Sequence, residues 1–164
     1  MRSTARTEAQ VYSAVVTDTA RVLLTAAVLS GIAIATFAWR VTRLDPDGAE
    51  RLIAELRLMQ WAGVMLAGVS GIPVGLALAT GGAPLAHLDI TVGVIFIGYA
   101  GLVLQRDPRE GLLFAIAGFI AHALLDIAHR PGWLSPDVAP RWYTVGCAVY
   151  NVFLAGWCYW ARRR

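Results

Sequence analysis

The stretch that decides the fold is residues 58–80, LMQWAGVMLAGVSGIPVGLALAT, in which none of the 23 residues is charged. A helix needs about 20 apolar residues to cross the roughly 30 Å hydrocarbon core of a bilayer. Inside that core the backbone must satisfy its own hydrogen bonds, which a helix does without help from a neighbour. The stretch therefore predicts a transmembrane helix.

Four more apolar blocks lie on either side of this stretch. The five predicted spans cover about residues 20–39, 58–80, 85–104, 111–129 and 142–160. Their connectors are short, so consecutive helices are expected to be antiparallel neighbours. We predict one all-α domain over residues 1–164, an integral membrane bundle of five transmembrane helices.

The connector between the first two spans carries its own helix signals. Asp47 is followed three residues later by Glu50, a pattern typical of a helix start. Beyond it, the apolar residues recur at helical spacing. We predict a short amphipathic helix whose apolar side is formed by Leu52, Ile53, Leu56 and Met59.

Composition and charge exclude several functions and suggest an orientation. All 14 basic residues are arginine, so a Schiff base on lysine is excluded. No basic cluster with interleaved aromatics indicates a nucleic-acid partner. Nine arginines fall on the side of connectors 40–57 and 105–110 and the C-terminus, against five on the other side. The positive-inside rule then places the C-terminus in the cytoplasm and the N-terminus outside the cell (inner) membrane.

Small and polar residues predict how the helices pack. Helices in lipid approach each other closely through small side chains. Gly71 and Gly75 belong to a stripe of small residues spaced by four, which predicts an internal packing surface or a homodimer face. Asn151 shares a helix face with Cys147 and is expected to hydrogen-bond a neighbouring helix. The spacing of Cys147 and Cys158 matches no redox or zinc motif, so both are interpreted as small buried residues.

The fourth span ends with three polar residues on one face. His122, Asp126 and His129 fall within an arc of about 60° at 3.6 residues per turn. Gly111 and Gly118 lie on the same face further up the helix. Small residues there indicate close packing, so the polar stripe is predicted to point into the bundle rather than at lipid.

The third span begins on the same side of the membrane, with His87 and Asp89 in its first turns. These residues are two apart and point about 200° away from each other on a regular helix. Asp89 shares its face with Gly93 and Phe96, which favours Asp89 as the inward residue. The titratable side chains within the bilayer are therefore predicted to gather in the outer, non-cytoplasmic leaflet, where ionisable groups usually serve a function.

Imidazole together with carboxylate suits a divalent metal such as Zn, Fe or Mn. His122, Asp126, His129 and His87 are the candidate metal ligands, and Asp126 and Asp89 are the candidate catalytic groups. The leading hypothesis is a metal-dependent enzyme, a hydrolase or an oxidoreductase, that acts on a lipidic small molecule in the bilayer.

The same residues leave three other readings open. Asp126 can simply hydrogen-bond a histidine and hold helices in register. His122 or His87 can be an axial ligand in a haem- or pigment-binding subunit, or in an accessory subunit of a larger membrane complex. His122 with Asp126 can also form the proton-linked site of a small transporter or channel.

Overall fold

The computed structural model describes residues 2–79, 86–129 and 138–164, with the backbone alone for residues 2–17. It has five helices: α1 (Arg2–Val41), α2 (Ala49–Ala79), α3 (Ala86–Val103), α4 (Pro108–Ala128) and α5 (Arg141–Arg163). The predicted all-α bundle of five helices is confirmed. Two connectors between the predicted spans, residues 81–84 and most of 130–141, lie outside the described residues.

Four helices are long and apolar enough to cross a membrane, namely α1 from Asp18 onward, α2, α3 and α4, with mean hydropathies of 1.7 to 2.1. The fifth, α5, does not reach that apolarity, although its 23 residues are long enough to span. Its polar residues Thr144 and Asn151 are buried rather than turned toward the surroundings. One face of α5 thus joins the interior of the bundle, while the other carries large apolar side chains.

Helix α4 packs against α2, α3 and α5, and α2 packs against all four other helices. Arg162 of α5 donates a hydrogen bond to the carbonyl oxygen of Arg109 at the start of α4, while Asn151 reaches Asp126 further along. The two helices are therefore antiparallel. We call the end of the bundle with Arg109 and Arg162 the arginine end. The opposite end, where α3 begins and α4 ends, is the histidine end.

Glycines allow α4 and α3 to approach their neighbours closely. A Cβ atom added at Gly93 would lie 2.9 Å from the carbonyl oxygen of Ser70, and one at Gly118 would lie 2.9 Å from the Tyr99 ring. Gly71 and Gly75, in contrast, have no atom within 4 Å of an added Cβ. Their prediction as an internal packing surface is wrong, because this face of α2 is turned away from the other described helices. The homodimer alternative stays a prediction.

The predicted amphipathic helix is the first part of α2, which continues without a break. The predicted apolar side is divided, because Leu52, Ile53 and Leu56 are exposed and Met59 is buried. The buried residues of this part of α2 include the charged Arg51 and Glu55. In a bilayer the apolar side faces lipid, so the polar side turns inward. Arg51 Nε donates to Glu55 Oε1 at 2.9 Å, and Arg109 Nε donates to Glu55 Oε2 at 3.3 Å. This ionic cluster joins α2 to α4 at the arginine end.

Candidate functional site

His122 and Asp126 lie one turn apart on the inward face of α4. Their exposed fractions are 4% and 3%, so both side chains are inside the bundle. The Nδ1 atom of His122 is 3.2 Å from Oδ2 of Asp126. The predicted inward orientation of this stripe is therefore confirmed. It follows from the small residues further along the same face, since these bring α4 against its neighbours.

Helix α5 adds two side chains to this pair. The Asn151 amide nitrogen lies 3.1 Å from Nδ1 of His122 and 3.3 Å from Oδ2 of Asp126. The same nitrogen lies 3.4 Å from Sγ of Cys147, one turn earlier on α5. Asn151 is fully buried and bridges the two helices, as its expected interhelical role requires. We call His122, Asp126, Cys147 and Asn151 the His122 cluster.

Three atoms that can bind a metal lie around the Asn151 amide nitrogen. A carboxylate oxygen, a sulfur and an imidazole nitrogen all converge on one amide group, which has two hydrogens. Ligand atoms of His122, Asp126 and Cys147 lie within 4.8 Å of one another. Within the described part of the chain, no other three histidine, cysteine or acidic side chains come together in this way. Such an arrangement of nitrogen, oxygen and sulfur suits a divalent metal.

The second polar pair connects α3 to the end of α4. The Nε2 atom of His129 is 2.7 Å from Oδ1 of Asp89, and its Nδ1 atom is 3.0 Å from the carbonyl oxygen of Leu125. Both hydrogen bonds form together when the ring carries two protons, or when Asp89 donates its own proton to Nε2. In either arrangement the pair is neutral in sum and holds one transferable proton.

The predicted site residues thus divide into two groups rather than one. His122 and Asp126 meet α5, whereas His129 and Asp89 pair with each other. His87 is exposed and faces away from Asp89, in agreement with the choice of Asp89 as the inward residue. The structure brings His87 into neither group.

Cys147 is the member of the His122 cluster that sequence reasoning missed. Its helical spacing of four from Asn151 placed both residues on one face, and this was interpreted as packing. The contact of Cys147 with the cluster follows from the antiparallel register of α4 and α5, which places Cys147 opposite Asp126. That register depends on the connector between the two helices and is not contained in the residue pattern.

Three buried polar atoms have no hydrogen-bond partner among the described residues: Asp89 Oδ2, Tyr143 OH and Asn151 Oδ1. All three lie on the half of the bundle that contains the His122 cluster and the Asp89–His129 pair. An unpaired buried polar atom costs about 1–3 kcal/mol, so such atoms usually have a water, ion or ligand partner.

An apolar groove lies between α3 and α4 beside the His122 cluster. Its volume is about 230 Å³, and it is lined by Ile95, Phe96, Tyr99, Ala117, Gly118 and Ala121. Phe96 lies between the groove and the cluster, with its ring centroid 5.2 Å from that of His122 in an edge-to-face arrangement. Both helices are candidate membrane spans by their length and composition.

No protein-family model matches this sequence, and the comparisons with curated proteins and with solved structures find no match.

Proposed function

We propose that this protein is a membrane-embedded, metal-dependent enzyme that acts on a lipidic small molecule. One observation carries the proposal: ligand atoms of His122, Asp126 and Cys147 converge within 4.8 Å inside the bundle. Three protein ligands with a further exchangeable position are typical of catalytic metal sites. In such a site the metal polarises a carbonyl or phosphoryl oxygen, or activates a bound water.

The Asp89–His129 pair supports the chemistry of this enzyme. General acid–base catalysis needs a group that can give or accept a proton close to the reacting atoms. The pair holds a transferable proton at the same end of the bundle, and Asp89 Oδ2 has no partner among the described residues. In our proposal the pair supplies a proton to a leaving group.

The groove between α3 and α4 supports a lipidic substrate. It is apolar and opens toward lipid, and only Phe96 separates it from His122. Its volume is smaller than the 300–1,000 Å³ typical of pockets for drug-sized ligands. It therefore suits a stretch of acyl chain whose polar group lies beside the cluster. We infer that the arginine end faces the cytoplasm at the inner membrane, since arginine-rich connectors stay on that side.

Metal analysis of the protein purified in detergent tests the proposal. We expect about one Zn, Fe or Mn per chain, and a loss of at least about tenfold in metal affinity in His122→Ala. His87→Ala is the matched control, because it removes an exposed histidine near the same end and should leave the metal content unchanged. A metal-free protein that converts lipids in liposomes of total lipid extract would overturn the proposal. A visible absorption band from a macrocycle would instead favour the haem or pigment alternative.

The second candidate is a small proton-linked transporter. The Asp89–His129 contact at 2.7 Å favours it, because paired ionisable groups within membrane helices often carry protons. Proton flux into liposomes that is lost in Asp89→Asn and retained in His122→Ala would favour transport over the enzyme. No flux above that of empty liposomes would eliminate this candidate.

A further inference from the structure

The nitrogen and the oxygen of the Asn151 side-chain amide have very different surroundings. Its nitrogen lies within 3.4 Å of three acceptor atoms, while its oxygen is buried and has no partner among the described residues. Turning the amide by 180° exchanges these two positions. The oxygen would then lie beside the Asp126 carboxylate oxygen, which is repulsive, and a cation bound between them would remove that repulsion. The orientation of this amide therefore depends on whether a cation is bound.

Three distances within the His122 cluster agree with one face of a tetrahedral metal site. The amide position is 3.1 Å from His122 Nδ1 and 3.3 Å from Asp126 Oδ2, and those two atoms are 3.2 Å apart. A tetrahedron with edges of about 3.2 Å has its centre about 2.0 Å from each corner, which agrees with zinc–nitrogen and zinc–oxygen bonds of about 2.0–2.2 Å. Zinc–sulfur bonds are longer, about 2.3 Å, and the 4.8 Å limit on the cluster leaves room for Cys147.

The charges of the ligand side chains also favour a divalent metal ion. A divalent metal bound by the Asp126 carboxylate and the Cys147 thiolate gives a neutral site, since His122 and Asn151 add no charge. Neutrality matters inside a membrane bundle, where an uncompensated ion is costly. Thiolate ligation favours zinc over manganese or calcium, because those two prefer oxygen ligands.

We propose that Asn151 is the fourth, exchangeable ligand of a tetrahedral zinc ion held by His122, Asp126 and Cys147. This inference rests on the proposed metal function and deepens it. A neutral amide oxygen is the weakest of the four donors, so a substrate oxygen or a water displaces it first. Asn151 then closes the site at rest and opens it when substrate arrives from the groove.

Cobalt(II) added to chelator-treated protein in detergent tests this assignment. The wild type should give the intense visible bands of tetrahedral cobalt together with a thiolate-to-cobalt charge-transfer band. Cys147→Ser should lose the thiolate band. Cys158→Ser is the matched control, because this second buried cysteine lies outside the cluster and its removal should leave the spectrum unchanged.

Two substitutions of Asn151 separate ligation from packing. Asn151→Leu should still bind cobalt through the thiolate, about tenfold more weakly, with a spectrum that shifts when azide is added. Asn151→Asp restores an oxygen at the same position and should recover the wild-type affinity or exceed it. Circular dichroism identifies variants that have not folded. If Asn151→Leu does not fold, the cobalt affinity of Asn151→Asp still tests the role of residue 151 as a ligand.

The outcomes distinguish this inference from the proposed function. If Asn151→Leu and the wild type share one spectrum and one affinity, Asn151 is not a ligand, while the metal function stands. If bound cobalt gives no thiolate band in the wild type, the tetrahedral assignment is wrong. If neither cobalt nor zinc binds, the proposed function itself fails.

Discussion

Glu55 and Asp126 are both buried carboxylates on membrane helices, yet their surroundings differ. Glu55 accepts hydrogen bonds from Arg51 and Arg109 and so has cations on both oxygens. The hydrogen-bonding neighbours of Asp126 are His122 and Asn151, neither of which carries a permanent positive charge. Because a buried anion needs a compensating charge, Asp126 is the better ligand for a bound cation.

Removing the charge of Glu55 should destabilise the arginine end. In Glu55→Gln the buried Arg51 guanidinium loses its countercharge, so we expect a loss of about 3–5 kcal/mol in the free energy of unfolding. Glu110→Gln is the control, because its contact with Arg106 is half exposed and should change stability by less than about 1 kcal/mol. Unfolding in mixed detergent–denaturant micelles measures both. Equal effects of the two substitutions would show that the buried cluster does not stabilise the bundle.

For single residues, the sequence predicted the orientation of those side chains whose position depends on one helix alone. The inward face of His122 and Asp126 follows from helical spacing within α4. The burial of Arg51 and Glu55 was not predicted, because the pattern was interpreted only as that of an amphipathic helix, without its orientation in the bundle. In a soluble protein the apolar side of an amphipathic helix faces the interior. In lipid the apolar side chains can face outward, and the polar ones can face the interior of the bundle.

At the scale of elements, α3 shows how closely two helices can approach where a side chain is missing. Gly93 lies against the carbonyl oxygen of Ser70 on α2, whereas Gly98 on the same helix has no neighbour within 4 Å. Dispersion contacts replace the hydrophobic effect as the main attraction between helices in lipid. A close approach between α2 and α3 therefore depends on Gly93.

Gly93→Ala should weaken the packing of α3 on α2. Its Cβ would lie 2.9 Å from a backbone oxygen, so the two helices must separate, at a cost of about 1–3 kcal/mol. Gly98→Ala adds the same methyl group in open space and should leave stability unchanged or raise it by up to about 1 kcal/mol through helix propensity. Thermal unfolding in one detergent compares the two variants. A Gly93→Ala protein as stable as the wild type would contradict the assigned contact.

The ends of the helices were predicted correctly where the apolar sequence ends abruptly. They were predicted less accurately where a helix extends beyond the hydrocarbon core of the membrane. The predicted start of the third span at residue 85 agrees with Ala86, whereas α2 begins at Ala49 rather than residue 58. Likewise α1 is a helix of 40 residues, twice the predicted span. A hydropathy pattern predicts only the apolar part of a helix. It does not predict how far the same helix continues into water.

For the whole molecule, the opposite ends of the bundle have different chemistry. The arginine end carries buried and exposed guanidinium groups, while the histidine end carries the unpaired polar atoms and the His122 cluster. This polarity gives the protein a direction across a membrane. The distribution of arginines then predicts which end lies in the cytoplasm.

Labelling of introduced cysteines tests this direction. In Arg164→Cys, a membrane-impermeant maleimide should label the protein in inverted vesicles and not in intact cells, because the C-terminus is predicted to be cytoplasmic. Ser3→Cys should give the opposite result. The two native cysteines are buried, so background labelling should be low. Labelling of Arg164→Cys in intact cells would reverse the predicted orientation.

The Asp89–His129 pair also bears on how the chain enters its membrane during synthesis. A lone aspartate at the centre of a newly made span adds about 2.5–3.5 kcal/mol to its transfer from the translocon into lipid, and Asp89, in the first turn of α3, adds a part of that cost. Four residues, 104–107, separate α3 from α4, so the two can leave the translocon as one hairpin. Joined by their shared proton, Asp89 and His129 then enter lipid without net charge. We therefore expect α3 and α4 to insert as a pair, with the Asp89–His129 contact formed before either helix meets lipid alone.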